Sequence, residues 1–580
     1  MNISENSGNK GKYPVLPLVA AFIVLAFCIW KSNIDQMLLI IFLAIGVITA
    51  TVLCFVKRIK IQCPVIIISS IFASLICCGV YYAFSFISDL YLSKFGFSFS
   101  SGTSLIGLLE TYDIPSLVIS IIAYPFAVFI TIIIVDVIAV GCRGIKIREY
   151  ISKQHGKNIG KSFFKAAAGM VIGVVAAAVI GTLLIWTAYS LPSGKMADSV
   201  SASTDIFIEE GPRPSVTTWA TGILDNYTDA LILLEASDCS KGPALQNALM
   251  NNKGTIDGAD PVQTLIRHYA DGEEFDDESP YPRYWHGYTI VLKPLLLLFN
   301  YGQIRTLIFT LQLLITVLIC FLFIKNRRPD LILPFLLTYL MLMPPAMGKS
   351  LQYSSCFFVM LLSVTALLLL KGNKHIAILF LLTGVATAYF DLLTFPIMTF
   401  GIPAAIFLSL DYSDAPEKKL MMTVRNGVFW VAGYGGMWAS KWLIADAVTG
   451  SSVIGDAVGT ILLRTSDSVA EEGVEALSAF TVIGRNLLAF AFTPVTLAVI
   501  CYLIVLSLKL SKKMPLRSAS VKLLPYLLIF LLPFLWYAFA ANHSMLHFWF
   551  TNKALSVSVF SVMCAVSELN AAPGPAALPQ

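Results

Sequence analysis

Charge is what this sequence has least of. Asp, Glu, Lys and Arg make up only 13% of its 580 residues, whereas 57% are hydrophobic. A soluble domain carries about twice that charged fraction, because its surface must face water. Together with a mean hydropathy of +0.78, the shortage excludes water-soluble globular, disordered, collagen-like and coiled-coil chains. A disulfide framework outside the membrane is also missing. Of 11 cysteines, Cys28, Cys54, Cys77, Cys78, Cys320, Cys356, Cys501 and Cys564 lie in apolar runs or at their ends, and Cys239 alone lies in a long polar segment. There is no Walker-type loop, Rossmann fingerprint or nucleophile elbow, so nothing supports a nucleotide-driven pump. No repeat of 20–50 residues is evident. The first apolar run has no small-residue cleavage site and reads as a retained span rather than a signal peptide.

What is present is a series of long apolar runs. A bilayer core of ~30 Å needs about 20 helical residues, and about fourteen runs approach that length. They are Pro14–Ile29, Met37–Val56, Pro64–Ile87, Pro115–Val140, Ala166–Tyr189, Thr306–Ile324, Leu331–Leu342, Ser355–Leu370, Ile376–Phe390, Pro396–Leu410, Gly427–Ile444, Leu487–Leu508, Leu523–Ala540 and Phe548–Val566. The expected fold is therefore an all-α polytopic membrane protein.

The net charge of +5 is explained by loop position, not by nucleic-acid binding. Lys57, Arg58 and Lys60, the stretch Arg143–Lys161, and Lys325, Arg327 and Arg328 fall in alternate loops. Lys371 and Lys374, then Lys418, Lys419 and Arg425, then Lys509, Lys512, Lys513, Arg517 and Lys522 continue the series. By the positive-inside bias these loops and both termini are cytoplasmic. The pattern and the cysteine usage point to a bacterial plasma membrane.

The organisation expected is a four-helix membrane module at 1–141, a basic connector at 142–165, a transmembrane core at 166–567 and a disordered Ala/Pro-rich tail at 568–580. The core carries two outer loops, 191–285 and 445–486. The first has sixteen Asp or Glu against six Lys or Arg. Within it Asn226–Ala236 reads as an amphipathic helix capped from Leu224-Asp225-Asn226. Tyr284–Phe299 is apolar with an aromatic head and suits the membrane interface.

Ionisable groups beside apolar runs are costly and therefore candidates for function. Asp225 and Asp229, four apart, share one helix face if both are helical. Such carboxylates serve as a general base or as oxygen ligands for a divalent cation. The plainer alternative is that Asp225 caps the helix and Asp229 faces water. In Tyr281-Pro-Arg-Tyr-Trp-His-Gly-Tyr288, Arg283 and His286 are donors suited to a phosphate or a sugar hydroxyl, while the aromatics stack on a sugar or form the interfacial belt. Lys441, flanked by Trp438 and Trp442, either snorkels outward or neutralises a lipid phosphate. Gly433, Gly435 and Gly436 permit close helix approach. Lys349, Gln352, Asp391, Arg464 and Arg485 complete an outer-face set with His543 and His547, whose spacing of four permits metal binding but suits interface anchoring better. Asp136 and the pair Gly169 and Gly173 read as structural.

This arrangement resembles the GT-C superfamily of integral-membrane glycosyltransferases. Leu224-Asp-Asn-Tyr-Thr-Asp-Ala-Leu-Ile-Leu resembles their carboxylate-plus-helix element after a first core span. The stretch from Tyr281 to Asn300-Tyr-Gly-Gln-Ile-Arg305 resembles their second element. The likeness covers about Ala166 to the C-terminus and departs in two ways: the acid lies some thirty-five residues beyond the span, and four extra spans precede the core. Asp198, Asp205 or Glu209 are alternative counterparts of the catalytic acid. The resemblance implies a sugar donor on a polyprenyl phosphate, Asp225 as base with Asp229 as neighbour or metal ligand, and Lys441, Arg283 or His286 on the leaving phosphate. It implies a glycan, lipid or protein as acceptor, and leaves open a divalent cation such as Mg or Mn. Competing readings are a flippase for lipid-linked oligosaccharide and an envelope polysaccharide polymerase or ligase.

Overall fold

The computed structural model describes residues 36–55, 68–81, isolated positions between 117 and 138, 159–237, 242–370, 375–410, 416–466, 468, 477–491, 493–509 and 516–570. The first expected span, Asp136 and the basic connector as far as residue 158 lie outside these residues. The described chain is mostly helical. It divides into two units, one formed by 1–146, 467–484 and 514–524, the other by 147–466, 485–513 and 525–580.

In the smaller unit the helices Gln36–Phe55 and Ile68–Tyr81 pack through Phe42, Ala73, Cys77 and Tyr124. Several hydroxyls inside this apolar contact are directed at carbonyls. Ser74 donates to Phe42 O at 3.0 Å and Thr131 to Ser69 O at 2.9 Å, as a non-aqueous interior requires.

The larger unit holds the functional interest. Among the described residues, five helices are long and apolar enough to cross a membrane: Phe164–Tyr189, Tyr301–Lys325, Leu351–Leu369, Lys522–Phe539 and Phe548–Asn570. The pair Ala479–Ala491 and Pro494–Leu506, bent by 89°, makes a sixth if it acts as one span. Other expected spans form shorter apolar helices, Pro329–Met341, Ile376–Phe390 and Ile397–Leu410. Proline explains the shortness. Pro344 and Pro345 start a separate short turn, and Pro396 closes the loop that follows Phe390.

Tyr301–Lys325 and Leu351–Leu369 run parallel. Asp229 joins their N-terminal ends through Tyr301 and Leu351, and Asn326 donates to Leu368 O at the far ends. The far end also carries the Arg328–Asp330 and Lys419–Glu568 ion pairs. Ile376–Phe390 and Pro416–Thr449 approach most closely. A Cβ on Gly384 would meet Trp430 O at 2.1 Å, and one on Gly433 would meet Leu381 O at 2.2 Å. Gly433 thus has the packing role expected of it, whereas Gly435 meets nothing. Gly173 packs on Leu381, but Gly169 also faces open space. Val171, Val175, Val179 and Leu183 form an exposed apolar stripe on Ile159–Tyr189, as a lipid-facing helix requires.

The long polar segment folds into short helices around one core of Met196, Val200, Phe207, Leu233, Leu265, Leu292 and Tyr301. Its helices are Gly194–Ser201, Thr204–Glu210, Asn226–Ala236, Ala244–Met250, Pro261–Tyr269 and Thr289–Leu296, with a two-stranded antiparallel pair, Lys253–Thr255 and Asp277–Ser279. Asp260 and Gln263 form a capping box on Pro261–Tyr269, and Asn300 with Gln303 does the same for Tyr301–Lys325. Asn226–Ala236 is not amphipathic: Ala230, Ile232, Leu233, Leu234 and Glu235 are all buried. It runs through the middle of the cap instead of along its surface.

Candidate functional site

Asp225 is the N-cap of Asn226–Ala236 and is 4% exposed. One carboxylate oxygen accepts the Thr228 N–H at 3.1 Å; among the described residues the other has no aligned donor, the nearby Thr228 hydroxyl and Trp549 indole included. Burial raises its pKa above the ordinary carboxylate range, opposed by the Thr228 bonds and the Arg213 charge. Trp549 lies within reach and also favours the ionised form, though its indole N–H has no aligned acceptor. The neighbouring chain is pinned on both sides of the acid. Leu224 N–H donates to Pro214 O at 2.8 Å and Tyr227 N–H to Pro212 O at 3.1 Å, which holds the Arg213 turn alongside. Tyr353 OH donates to Ile223 O at 3.1 Å and Lys553 Nζ to Thr221 O at 2.8 Å.

Asp229 has the opposite surroundings. Its oxygens accept four bonds, from Tyr301 OH at 2.7 Å, Leu351 N–H at 2.8 Å, Gln352 N–H at 3.1 Å and Ser350 Oγ at 3.2 Å. It therefore caps the N-terminus of Leu351–Leu369, where a negative charge is favoured. Burial still holds its pKa at about 6. The expectation of a pair on one helix face fails, because Asp225 precedes the first helical residue and Asp229 turns into the bundle. With all four lone-pair directions used, Asp229 has none left for a metal. Among the described residues no three His, Cys, Asp or Glu side chains come together as a metal group. The residues do not fit a resident divalent cation held by Asp225 and Asp229.

Most of the other candidates are also engaged. Arg283 pairs with Asp456 at 3.1 Å and donates to Thr460 at 2.8 Å. His286 is buried between Tyr281 O at 2.8 Å and Glu235 at 2.9 Å. Lys441 is fully buried and donates to Leu249 O at 2.8 Å and Asn251 Oδ1 at 3.2 Å. It fastens the cap to Pro416–Thr449 and neither snorkels nor opens toward a lipid head. Asp391 accepts from the N–H and hydroxyl of Thr394 within its own turn, and burial lifts its pKa to about 7. Lys349 is exposed, as are Asp198, Asp205 and Glu209. Arg305 donates from Nη1 to both Glu210 oxygens and from Nη2 to Asn226 Oδ1 at 2.8 Å, so it sets the residue next to Asp225.

Arg213 and Trp549, which act on Asp225, and the groups around them are ones the sequence reading did not select or placed differently. Apart from Arg213 and Arg464 they come from residues 541–555, which include the turns Ala541–Leu546, Phe548–Thr551 and Asn552–Leu555. Arg213 lies over the Trp549 ring at 4.2 Å, and Lys553 faces the Tyr353 ring at 5.1 Å. Lys553 is fully buried, and no carboxylate among the described residues pairs with it. Arg464 donates to His547 Nε2 at 2.9 Å, which keeps that imidazole neutral with its proton on Nδ1. Burial and the Arg464 and Arg213 charges depress the His547 pKa, and burial brings His543 to about 3. His543 donates through Nε2 to Leu393 O at 2.8 Å.

Several buried polar atoms here have no partner: Arg464 Nε, His547 Nδ1, Trp549 Nε1, His543 Nδ1, Thr221 Oγ1, Ser544 Oγ and Asn552 Oδ1. Buried polar groups are normally satisfied. Water or a bound ligand can supply the missing bonds. Arg464, His547 and Trp549 all present donors, which suits an anion.

No family model, curated protein or solved structure matches the chain.

Proposed function

We propose that this chain is a GT-C-like glycosyltransferase of about fourteen spans, using a polyprenyl-phosphate sugar as donor at the outer face of a bacterial plasma membrane. The observation that carries this reading is Asp225: a buried carboxylate with one oxygen fixed by a helix cap and the other uncommitted, beside a group of unmatched cationic and N–H donors. The free oxygen takes the proton of an acceptor hydroxyl. The hydroxyl oxygen then bonds to the anomeric carbon, and the carbon–oxygen bond to phosphate breaks with its electron pair going to the phosphate. Arg213, Arg464, His547 and Trp549 supply the charge and N–H groups that the departing phosphate needs, which favours the transition state over the ground state. No step requires a metal held by Asp229.

Incubating the purified protein with labelled polyprenyl-phosphate sugars and candidate glycan, lipid or protein acceptors tests this. Transfer by the unaltered chain and its loss in Asp225→Asn is the expected result; transport of lipid-linked sugar without transfer would overturn it.

One observation favours a second reading. Arg213, Arg464, His543 and His547 gather around one turn, and arginines with histidines are what an envelope polysaccharide ligase or polymerase uses on its lipid-diphosphate donor. A product that carries a whole oligosaccharide instead of a single sugar distinguishes the two.

A further inference from the structure

The second expected outer loop contains a helix, Val453–Arg464, whose apolar face is turned outward. Its other side faces the protein. There the buried Val453 and Ala457 alternate with Asp456, Thr460 and Arg464, spaced four apart along one side of the helix. Asp456 and Thr460 hold Arg283, and Arg464 donates to His547 at 2.9 Å. On the opposite side Ile454, Val458, Ile461 and Leu462 are exposed, Leu462 by 66%. Their spacing is that of a single helix face, and no charged residue interrupts it. Facing water, such a strip would be an apolar patch with nothing to cover it.

What covers it follows from where the helix is fastened. Its start is tied to Pro416–Thr449, where Asp446 accepts the Val453 N–H at 2.6 Å and the Ile454 N–H at 3.3 Å. Between Arg425 and Asp446 the one charged residue is Lys441, which turns inward to Leu249 O. At 1.5 Å per residue that stretch is about 30 Å long, the thickness of a bilayer core, so Asp446 stands at the membrane boundary. Val424, Val428, Val431 and Leu443 form an exposed stripe along it. Asp446 lies about five full turns beyond Val428 and therefore ends this same stripe. The far end of Val453–Arg464 is tied through Arg464 to His547, the residue preceding the apolar helix Phe548–Asn570. A helix about 18 Å long that joins two spans at their cap-side ends lies along the membrane surface instead of rising from it. Because Asp456 and Thr460 face Arg283 in the cap, the apolar side points away from the cap and continues the stripe on Pro416–Thr449. We propose that Val453–Arg464 is seated in the cap-side surface of the bilayer, with Ile454, Val458, Ile461 and Leu462 among lipid acyl chains. The seat holds Arg464, whose Nε has no partner, at the level of the lipid headgroups. This goes beyond the transferase reading and does not rest on it.

Photolabelling of the full chain in nanodiscs of phosphatidylcholine and phosphatidylglycerol tests this, with a phosphatidylcholine that carries a diazirine on its acyl chain as the probe. Peptide mapping should find label on Ile454, Val458 and Leu462 within about threefold of that on Val428 and Leu443, and about tenfold above that on the cap helix Pro261–Tyr269. A water-soluble carbene precursor applied to the same nanodiscs should give the reverse order. Acyl label on Val428 and Leu443 but none on 453–464 would overturn the proposal. In that case aqueous label on 453–464 would show a face turned to water, and protection from both reagents would show a second copy of the chain covering it. The readout is independent of sugar transfer, so an inactive protein with the expected labelling would break the transferase reading and leave the membrane seat standing.

Discussion

The helix Asn226–Ala236 meets two unlike surroundings in one small cap. Toward Tyr301 and residues 350–352, the Asp229 carboxylate finds a donor for each lone pair, and Asn226 is held by Arg305 and Glu210, with Arg305 Nε and Gln352 Oε1 the atoms there that lack a partner. Toward residues 541–555, Arg464, His547, Trp549, Thr221 and Asn552 all keep buried polar atoms without partners, and among the described residues no acid pairs with Lys553. A matched group is scaffold: removing it costs stability. An unmatched group is unfavourable to leave so in an empty protein, and the cost makes sense where a ligand completes the set. Asp225 and Asp229, alike in chemistry and separated by one turn, fall on opposite sides of this divide.

The largest effect that can break this contrast is on transfer. Asp225→Asn should lower the rate by about 10²–10⁴-fold, the usual contribution of a positioned base, with little change in melting temperature. Because burial holds the Asp225 pKa above the ordinary range, the unaltered enzyme should gain activity with rising pH at a point above that of an exposed carboxylate. The base works only when ionised, so the acidic limb moves up with the pKa. An acidic limb at ordinary carboxylate pH would show that Asp225 is not the group titrating.

Next in size is donor binding. Arg464→Gln removes a charged donor while leaving an amide of similar reach. A charge-assisted bond contributes about 1.5–3 kcal/mol, so KM for the lipid-linked sugar should rise about ten- to a hundredfold, with kcat less affected. Equal KM values in the two proteins would move the phosphate elsewhere.

On the matched side, the expected losses are structural. Asp229→Asn places an NH₂ against donors that include the Leu351 and Gln352 N–H groups. About 2 kcal/mol of stability should be lost, visible in thermal melting, and the activity of the folded fraction should persist. Lys441→Met should cost less, about 1 kcal/mol. It strands Leu249 O and Asn251 Oδ1 but also spares the burial of an ammonium. If Lys441→Met instead abolished transfer without altering the melt, the latch role would be wrong.

Much of this division lies beyond what local spacing can convey. Apolar runs in the core correspond to helices, Arg328 and Lys419 form their ion pairs at the end away from the cap, and Asp225 caps its helix as its setting suggests. Each of these depends on residues within a turn or two of one another. The partners of polar groups are another matter. Asp229 bonds residues 121 to 123 positions away, Lys441 one 192 away and Lys553 one 332 away. Spacing therefore singles out Asp225 without separating it from Asp229, and it reads Lys441 as snorkelling or meeting a lipid phosphate, whereas the lysine is a buried strut. The run Asn542-His-Ser-Met-Leu-His-Phe-Trp-Phe-Thr-Asn-Lys553 did carry a signal. Its density of polar and aromatic side chains at the head of an apolar helix is what a buried polar turn needs, yet the two histidines within it read first as a metal or anchoring pair.

The smallest test concerns those histidines. Burial depresses the His543 pKa to about 3, well under the 6.5 of a free imidazole. The folded protein thus keeps His543 neutral while the unfolded chain takes up a proton as pH falls below about 6.5. Stability from this source is present above that pH and declines below it, by about 1 kcal/mol for one histidine between pH 6.5 and 5.5. His547, depressed in the same direction, adds a second proton to the slope. His543→Gln should remove one proton from the pH dependence of unfolding in that window and leave the other. An anionic lipid bound beside Arg464 and His547 would make protonation of the folded state easier. Saturating donor should therefore flatten the His547 part of the slope while leaving that of His543, which is tied to Leu393 O. A slope insensitive to donor would separate the histidine turn from the ligand and return it to scaffold.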